Sequence, residues 1–172
     1  TVFGKIAALP YPTVALIQGA ALGGGLELAM ACHIRISSSN SRLGLPEVSL
    51  GVIPGYGGTQ RLAQLVGKGR ALELITSAQM IDAHKAESWG LINCVKPQNE
   101  LIKHCIALAE KIKQNGPLAI AAAIKSVNAN YEEGISGFDI EIQEFAKCFG
   151  TNDFREGTSA FFEKRKPKFK GM

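Results

Sequence analysis

TVALIQGAALGGGLELAMACHIRISS, residues 13–38, is the stretch whose reading decides the fold. Thr13 to Gln18 is a short, apolar, partly β-branched run suited to a buried strand, and Gly19 breaks it. Gly23 to Ala31 has the look of a helix, and Ile34 to Ser38 alternates as a second strand does. Arg42 to Leu45 is a candidate third strand. Strand, glycine turn, helix and strand at this spacing specify an α/β unit. In the middle of the helix stands one carboxylate, Glu27, surrounded by apolar residues. Burying an ionised carboxylate without a partner costs several kcal/mol, so a chain keeps one there mainly where it is used or paired.

Upstream, TVFGKIAALPYP reads as the last turns of a helix followed by a turn at Pro10 and Pro12. Downstream of Tyr56 the chain turns helical. Thr59 is a candidate N-cap for a helix through Val66, Ala71 to Thr76 forms another, and Asp82 caps a short one ending before Gly90. Asn93 to Lys96 is a brief strand; Asn99 to Lys113, Pro117 to Asn130 and Ser136 to Phe149 have helical periodicity, and Asp153 starts a last helix. No internal repeat shows in the side chains.

At 172 residues, 46% hydrophobic and 20% charged, the composition is that of a globular protein with one substantial core and excludes the disordered class. The net charge of +4 is confined to residues 161–172, FFEKRKPKFKGM, so the other 160 residues balance. A basic body that would track nucleic acid is therefore absent. A short basic tail can be a solvated terminus or can meet a phosphate-bearing small molecule. Cys32, Cys94, Cys105 and Cys148, with His33, His84 and His104, fall in no ligand spacing, which argues against a metal site and for reduced thiols. No apolar run approaches the length of about 18 residues needed to span a bilayer, and no signal-peptide pattern opens the chain, so the expected compartment is the cytoplasm, or the mitochondrial matrix had a transit peptide been removed.

Glycine clusters at a strand-to-helix turn raise the question of phosphate binding. GGGLEL at Gly23 and GYGGTQ at Gly55 place Leu28 and Gln60 where a dinucleotide fingerprint needs its last glycine. GKGR at Gly67 has Gly69 after its lysine, where a Walker loop needs Ser or Thr. What Gly23, Gly24 and Gly25 still offer is bare backbone at a helix start: N–H groups pointing at an anion, aided by the helix dipole. That is the construction of an oxyanion hole, where one donor is worth about 10²–10³ in rate.

A second acid, Glu47, lies twenty positions beyond Glu27, directly after Pro46 and shortly before the glycine-rich turn at Gly55, Gly57 and Gly58. Two isolated carboxylates flanking two bare-backbone turns could grip one water, one accepting its proton and the other supplying a proton elsewhere. The competing reading is that Glu47 caps a helix or pairs with Arg35 or Arg61.

The segment from Ile17 to Leu62, together with ALELITSAQMIDAHKAESWGLINCV, PLAIAAAIKSVN and EGTSAFFEKRKPKF, resembles the crotonase (enoyl-CoA hydratase/isomerase) superfamily, and within it the enoyl-CoA hydratases. The resemblance covers essentially the whole chain. It implies an α/β fold, the C-terminal part of a crotonase-like ββα spiral core over residues 1–97, followed by an α-helical trimerisation region over 98–172. It implies that Gly24 donates to the thioester oxygen, Glu27 activates water for attack on Cβ, Glu47 delivers a proton to Cα, and Gly55 helps hold the water. Leu22, Gly23, Pro46 and Pro54, flanking the two turns, are implied substrate contacts, and Phe161 and Lys164 match groups presented to the CoA of a neighbouring subunit.

The implied substrate is a 2-enoyl-CoA thioester, with no cofactor because coenzyme A is part of the substrate, no metal and no membrane partner. The implied assembly is a homotrimer or a dimer of trimers. Isomerisation of a 3-enoyl-CoA within the family and a noncatalytic RNA-binding relative are the alternatives. The family's N-terminal portion of the core, which supplies the second oxyanion donor and most CoA contacts, has no counterpart in these 172 residues, so alone they are expected to show little activity.

Overall fold

The computed structural model describes residues 2–172, which divide into two compact units: one comprising the chain up to residue 7 with 13–106, the other 8–12 with 107–172.

In the first unit, helix α1 (Val2–Ala7) precedes β1 (Val14–Ile17) and β2 (Ala20–Leu22), two strands separated by Gln18 and Gly19, the latter at φ 74°. Helix α2 (Gly24–Ala31) leads to β3 (Ile34–Ser38) and β4 (Arg42–Gly44). A 3₁₀ turn (Glu47–Leu50), α3 (Gly58–Val66), α4 (Lys68–Thr76), β5 (Met80–Asp82), α5 (Ala83–Ser88) and β6 (Cys94–Lys96) follow. β1, β3 and β6 form one parallel sheet, with Val14 beside Ile34 and Ile36 beside Cys94. β2, β4 and β5 form the other, β2 and β4 parallel, β5 antiparallel to β4.

β1 with β2, and β3 with β4, thus contribute one strand to each sheet before helices carry the chain back, two coils of a ββα spiral, whereas α5 separates β5 from β6. Leu26, Leu43, Leu45, Leu62, Leu74 and Leu91 are fully buried at its centre. His33 fastens α1 to this frame. The Thr13 N–H donates to Nδ1 at 3.1 Å, which makes Nδ1 an acceptor and leaves Nε2 to donate to the Ala7 carbonyl at 3.1 Å.

The expected elements form, with shifted ends. Asp82 does cap α5, accepting from the Lys85 N–H at 2.8 Å. Thr59 does not cap α3: the N-cap is Gly57, in the left-handed region at φ 98°, with no side-chain bond. A Cβ on Gly57 would collide with the Arg61 guanidinium, which donates to the Tyr56 carbonyl at 3.0 Å. Among the described residues no helix is long and apolar enough to cross a membrane, and no three metal-ligating side chains are grouped to hold an ion.

Helix α6 (Gln98–Ile112) ends within the second unit, which continues with α7 (Pro117–Ala129), α8 (Gly137–Phe149) and α9 (Asn152–Phe162). The basic tail folds back on α9 as a strap. Lys164 at φ 55° ends the helix, Arg165 makes a two-pronged contact with Glu156, and the Lys170 and Gly171 N–H groups donate to the two oxygens of Asp153 at 2.7 and 2.9 Å. Phe169 lies where a Cβ on Gly157 would come within 3.2 Å of its ring.

The Arg165 guanidinium, followed by the Lys168 N–H, holds the Glu156 carboxyl at about 2. A pKa lowered in the folded state stabilises above the ordinary value of 4.5, and that contribution is lost as the pH falls toward 2. Exchange protection of the Lys168 amide, which donates to Glu156 at 2.7 Å, is therefore expected to hold from pH 7 to 5 and to decline below about 4.5. Protection unchanged at pH 2 would contradict this account.

Candidate active site

The site is built around the first turn of α2. Gly23, its N-cap, has φ 53° and no side-chain capping bond. The first N–H groups of a helix have no intrahelical acceptor, so those of Gly24 and Gly25 are available at the positive end of the dipole. The β2–β4 ladder sets this turn in place, its line of bonds continued by the Gly23 N–H donating to the Gly44 carbonyl at 3.0 Å.

Glu27, one turn into the helix, is 1% exposed. Its Oε1 accepts from the Tyr56 N–H and the Gly58 N–H, both at 2.8 Å. These donors come from the second glycine-rich turn, so the two turns meet at this carboxylate. Gly58 permits the approach: a Cβ there would lie 2.7 Å from Glu27 Oε1 and 2.8 Å from Pro54 Cβ.

Glu47 opens the 3₁₀ turn after Pro46. Its Oε1 lies 3.0 Å from where a Cβ on Gly23 would stand, which brings the second acid to the same helix start. Its Oε2 is buried and has no hydrogen-bond partner among the described residues. Buried polar atoms are nearly always paired, so an unpaired carboxylate oxygen beside an anion-attracting helix terminus calls for a ligand or water partner. Arg35 and Arg61 do not supply one: Arg35 donates to the Leu91 and Cys32 carbonyls, Arg61 to that of Tyr56.

Leu22 ends β2 immediately before Gly23, Pro54 is buried against Gly58, and Gly55 is exposed at the head of the turn that holds Glu27. Phe161 and Lys164 belong to the second unit, Phe161 near the end of α9 and 79% exposed, Lys164 where the strap begins. Sequence reasoning missed Tyr56 and Gly58. The GYGG turn marked bare backbone, but which of its N–H groups would meet Glu27 depends on how α3 packs on α2.

Thiol chemistry has little support. Cys94 lies 3.5 Å from His104 Nε2, but burial pushes both its thiol and that of Cys105 up, away from the thiolate a nucleophile requires.

The sequence profile of the enoyl-CoA hydratase/isomerase family matches residues 1–172. The chain is 45% identical over 166 residues to the short-chain-enoyl-CoA hydratase of Clostridium acetobutylicum, covering 96% of this chain and 64% of that one. It is 44% identical over 169 residues to the crotonyl-CoA hydratase of Syntrophomonas wolfei, covering 98% and 65%. The crystal structure of an enoyl-CoA hydratase from Bacillus anthracis superposes with a TM-score of 0.93 at 41% identity, covering 99% of this chain and 66% of the other. The chain thus spans just under two thirds of the length of the relatives it matches.

Proposed function

Since the chain belongs to the enoyl-CoA hydratase/isomerase family, within the crotonase superfamily, we propose that it serves a hydratase adding water across the double bond of a 2-enoyl-CoA thioester. The observation that carries the reading is the convergence of two carboxylates on one helix start: Glu27 seated on two N–H groups, and Glu47 with a buried, unpaired oxygen. The thioester oxygen accepts from the Gly24 N–H, which stabilises the enolate-like charge that develops as Cβ is attacked. The water oxygen bonds to Cβ while its proton passes to Glu27, Glu47 gives its carboxyl proton to Cα, and exchange of a proton from Glu27 back to Glu47 resets the pair. The net change is one H₂O added, and no cofactor takes part.

This reading extends to the assembly. α8 leaves Phe138, Ile142 and Phe145 between 65 and 80% exposed at helical spacing, an apolar stripe that favours coverage by another copy in a homotrimer or dimer of trimers. The cytoplasm or the mitochondrial matrix is the proposed compartment.

The test is to present crotonyl-CoA to the full-length protein that carries this sequence and to follow loss of the conjugated enoyl-thioester absorbance. The expected product is 3-hydroxybutyryl-CoA. Absorbance that stays constant on crotonyl-CoA and on branched 2-enoyl thioesters would overturn the hydratase reading, and a product without a hydroxyl from a 3-enoyl substrate would replace it with the isomerase one.

A further inference from the structure

Tyr56 is held in place more firmly than its exposure suggests. Its N–H donates to Glu27 Oε1 at 2.8 Å and its carbonyl accepts from Arg61 Nη1 at 3.0 Å, so the peptide is pinned on both sides. The ring edge faces the helix start: a Cβ on Gly24 would lie 3.7 and 3.8 Å from its Cδ2 and Cε2. Phe3 of α1 packs edge-to-face on the same ring, centroids 5.6 Å apart, and His33 anchors α1 through the Ala7 carbonyl. Even so, Tyr56 is 66% exposed. A ring pinned on both sides against the start of α2, with its own N–H on Glu27, is a fixed wall for whatever lies along that helix start.

We infer that Tyr56, braced by Phe3, is a specificity-determining residue that selects 2-enoyl thioesters unbranched at Cα. The inference rests on the hydratase reading above. With the thioester oxygen on the Gly24 N–H and the attacking water on Glu27, the segment from C1 to Cβ runs between the two groups that Tyr56 itself spans, its ring against Gly24 and its N–H on Glu27. The ring therefore stands beside the flat, conjugated part of the substrate. A methyl group on Cα projects from that plane's edge into the space the ring holds, whereas lengthening the chain beyond Cβ does not.

One methyl group accepted or refused by an apolar wall is worth about 10–200-fold in kcat/KM. The experiment compares crotonyl-CoA with 2-methylcrotonyl-CoA in the full-length protein for wild type, Tyr56→Ala, Tyr56→Leu and Tyr56→Phe, with thermal melting as the check on folding. The backbone N–H that holds Glu27 survives every one of these changes. The expected result is a wild-type preference for crotonyl-CoA that narrows about tenfold or more in Tyr56→Ala or Tyr56→Leu and persists in Tyr56→Phe. A crotonyl to 2-methylcrotonyl ratio left unchanged in a folded Tyr56→Ala or Tyr56→Leu protein overturns the inference while leaving the hydratase reading intact. A wild type that hydrates neither thioester removes the hydratase reading itself.

Discussion

Glu47→Gln in the full-length protein is expected to lower the kcat/KM for the proposed hydration of crotonyl-CoA by about 10²–10⁴, the usual contribution of a positioned acid or base. Glutamine keeps the volume of the side chain and its place after Pro46 in the 3₁₀ turn, so the fold is expected to survive. What it loses is a carboxyl proton to give to Cα. Glu27→Gln is expected to fall by a similar factor, for the complementary reason. Its amide oxygen can still accept from the Tyr56 and Gly58 N–H groups, which keeps the seat intact, but it takes no proton from water.

In the proposed mechanism the two acids act on one water and one substrate, so the double variant is expected to be little worse than either single one; groups that work as a unit are strongly non-additive. Rates measured alongside CoA binding separate this from a general loss of the site. A Glu47→Gln enzyme with wild-type kcat would sink the two-acid mechanism. So would a pair of losses that multiply.

Gly58→Ala damages folding and chemistry together. The added methyl would stand 2.7 Å from Glu27 Oε1 and 2.8 Å from Pro54 Cβ, inside contact distance of a buried carboxylate and a rigid ring. Overpacking of this kind costs about 1–3 kcal/mol, and relief requires α3 to withdraw from α2 and lengthen the bonds that hold Glu27. The expected outcome is a lowered melting temperature together with a hydration rate approaching that of Glu27→Gln. Gly69→Ala is the matched control. It sits in the first turn of α4 with nothing within 4 Å of the new methyl and gains about 0.4–1 kcal/mol by restricting the unfolded chain. The same substitution therefore carries opposite signs at two helices of one unit, and equal melting shifts would refute the packing account.

The sequence disclosed β1, α2 and β3 nearly to their ends, because each has four or more residues of clear pattern between glycine or polar breaks. It did not disclose β2 and β5. Ala20–Leu22 is wedged between Gly19 and the glycines that open α2, and Met80–Asp82 ends on the residue that caps α5, so neither stands out from its neighbours; they are strands because β4 lies between them. The two acids were legible by their isolation among apolar neighbours. Their partners were not, since the Tyr56 and Gly58 N–H groups that seat Glu27 lie 29 and 31 positions away and are backbone atoms that any residue carries. Only the glycine at 58 left a trace, and without the packing of α3 on α2 it could not be told from Gly55 or Gly57. The basic tail read either as a solvated terminus or as a contact for a phosphate-bearing molecule, because charge says nothing of Asp153 accepting from its backbone.

The spiral also has a temporal meaning. Val14 pairs with Ile34 and Ala20 with Arg42, each a short loop closure, whereas Ile36 must wait for Cys94. Loop closure costs more as the loop lengthens, so the first two pairings are the natural nucleus and β6 a late addition. During synthesis the chain can therefore close one coil before the next has left the ribosome. α2 is the connection inside that first coil, yet Glu27 receives its N–H partners only when residues 56–58 arrive. Until then the growing chain carries a carboxylate with no seat inside this coil, so the coil is finished only when α3 docks.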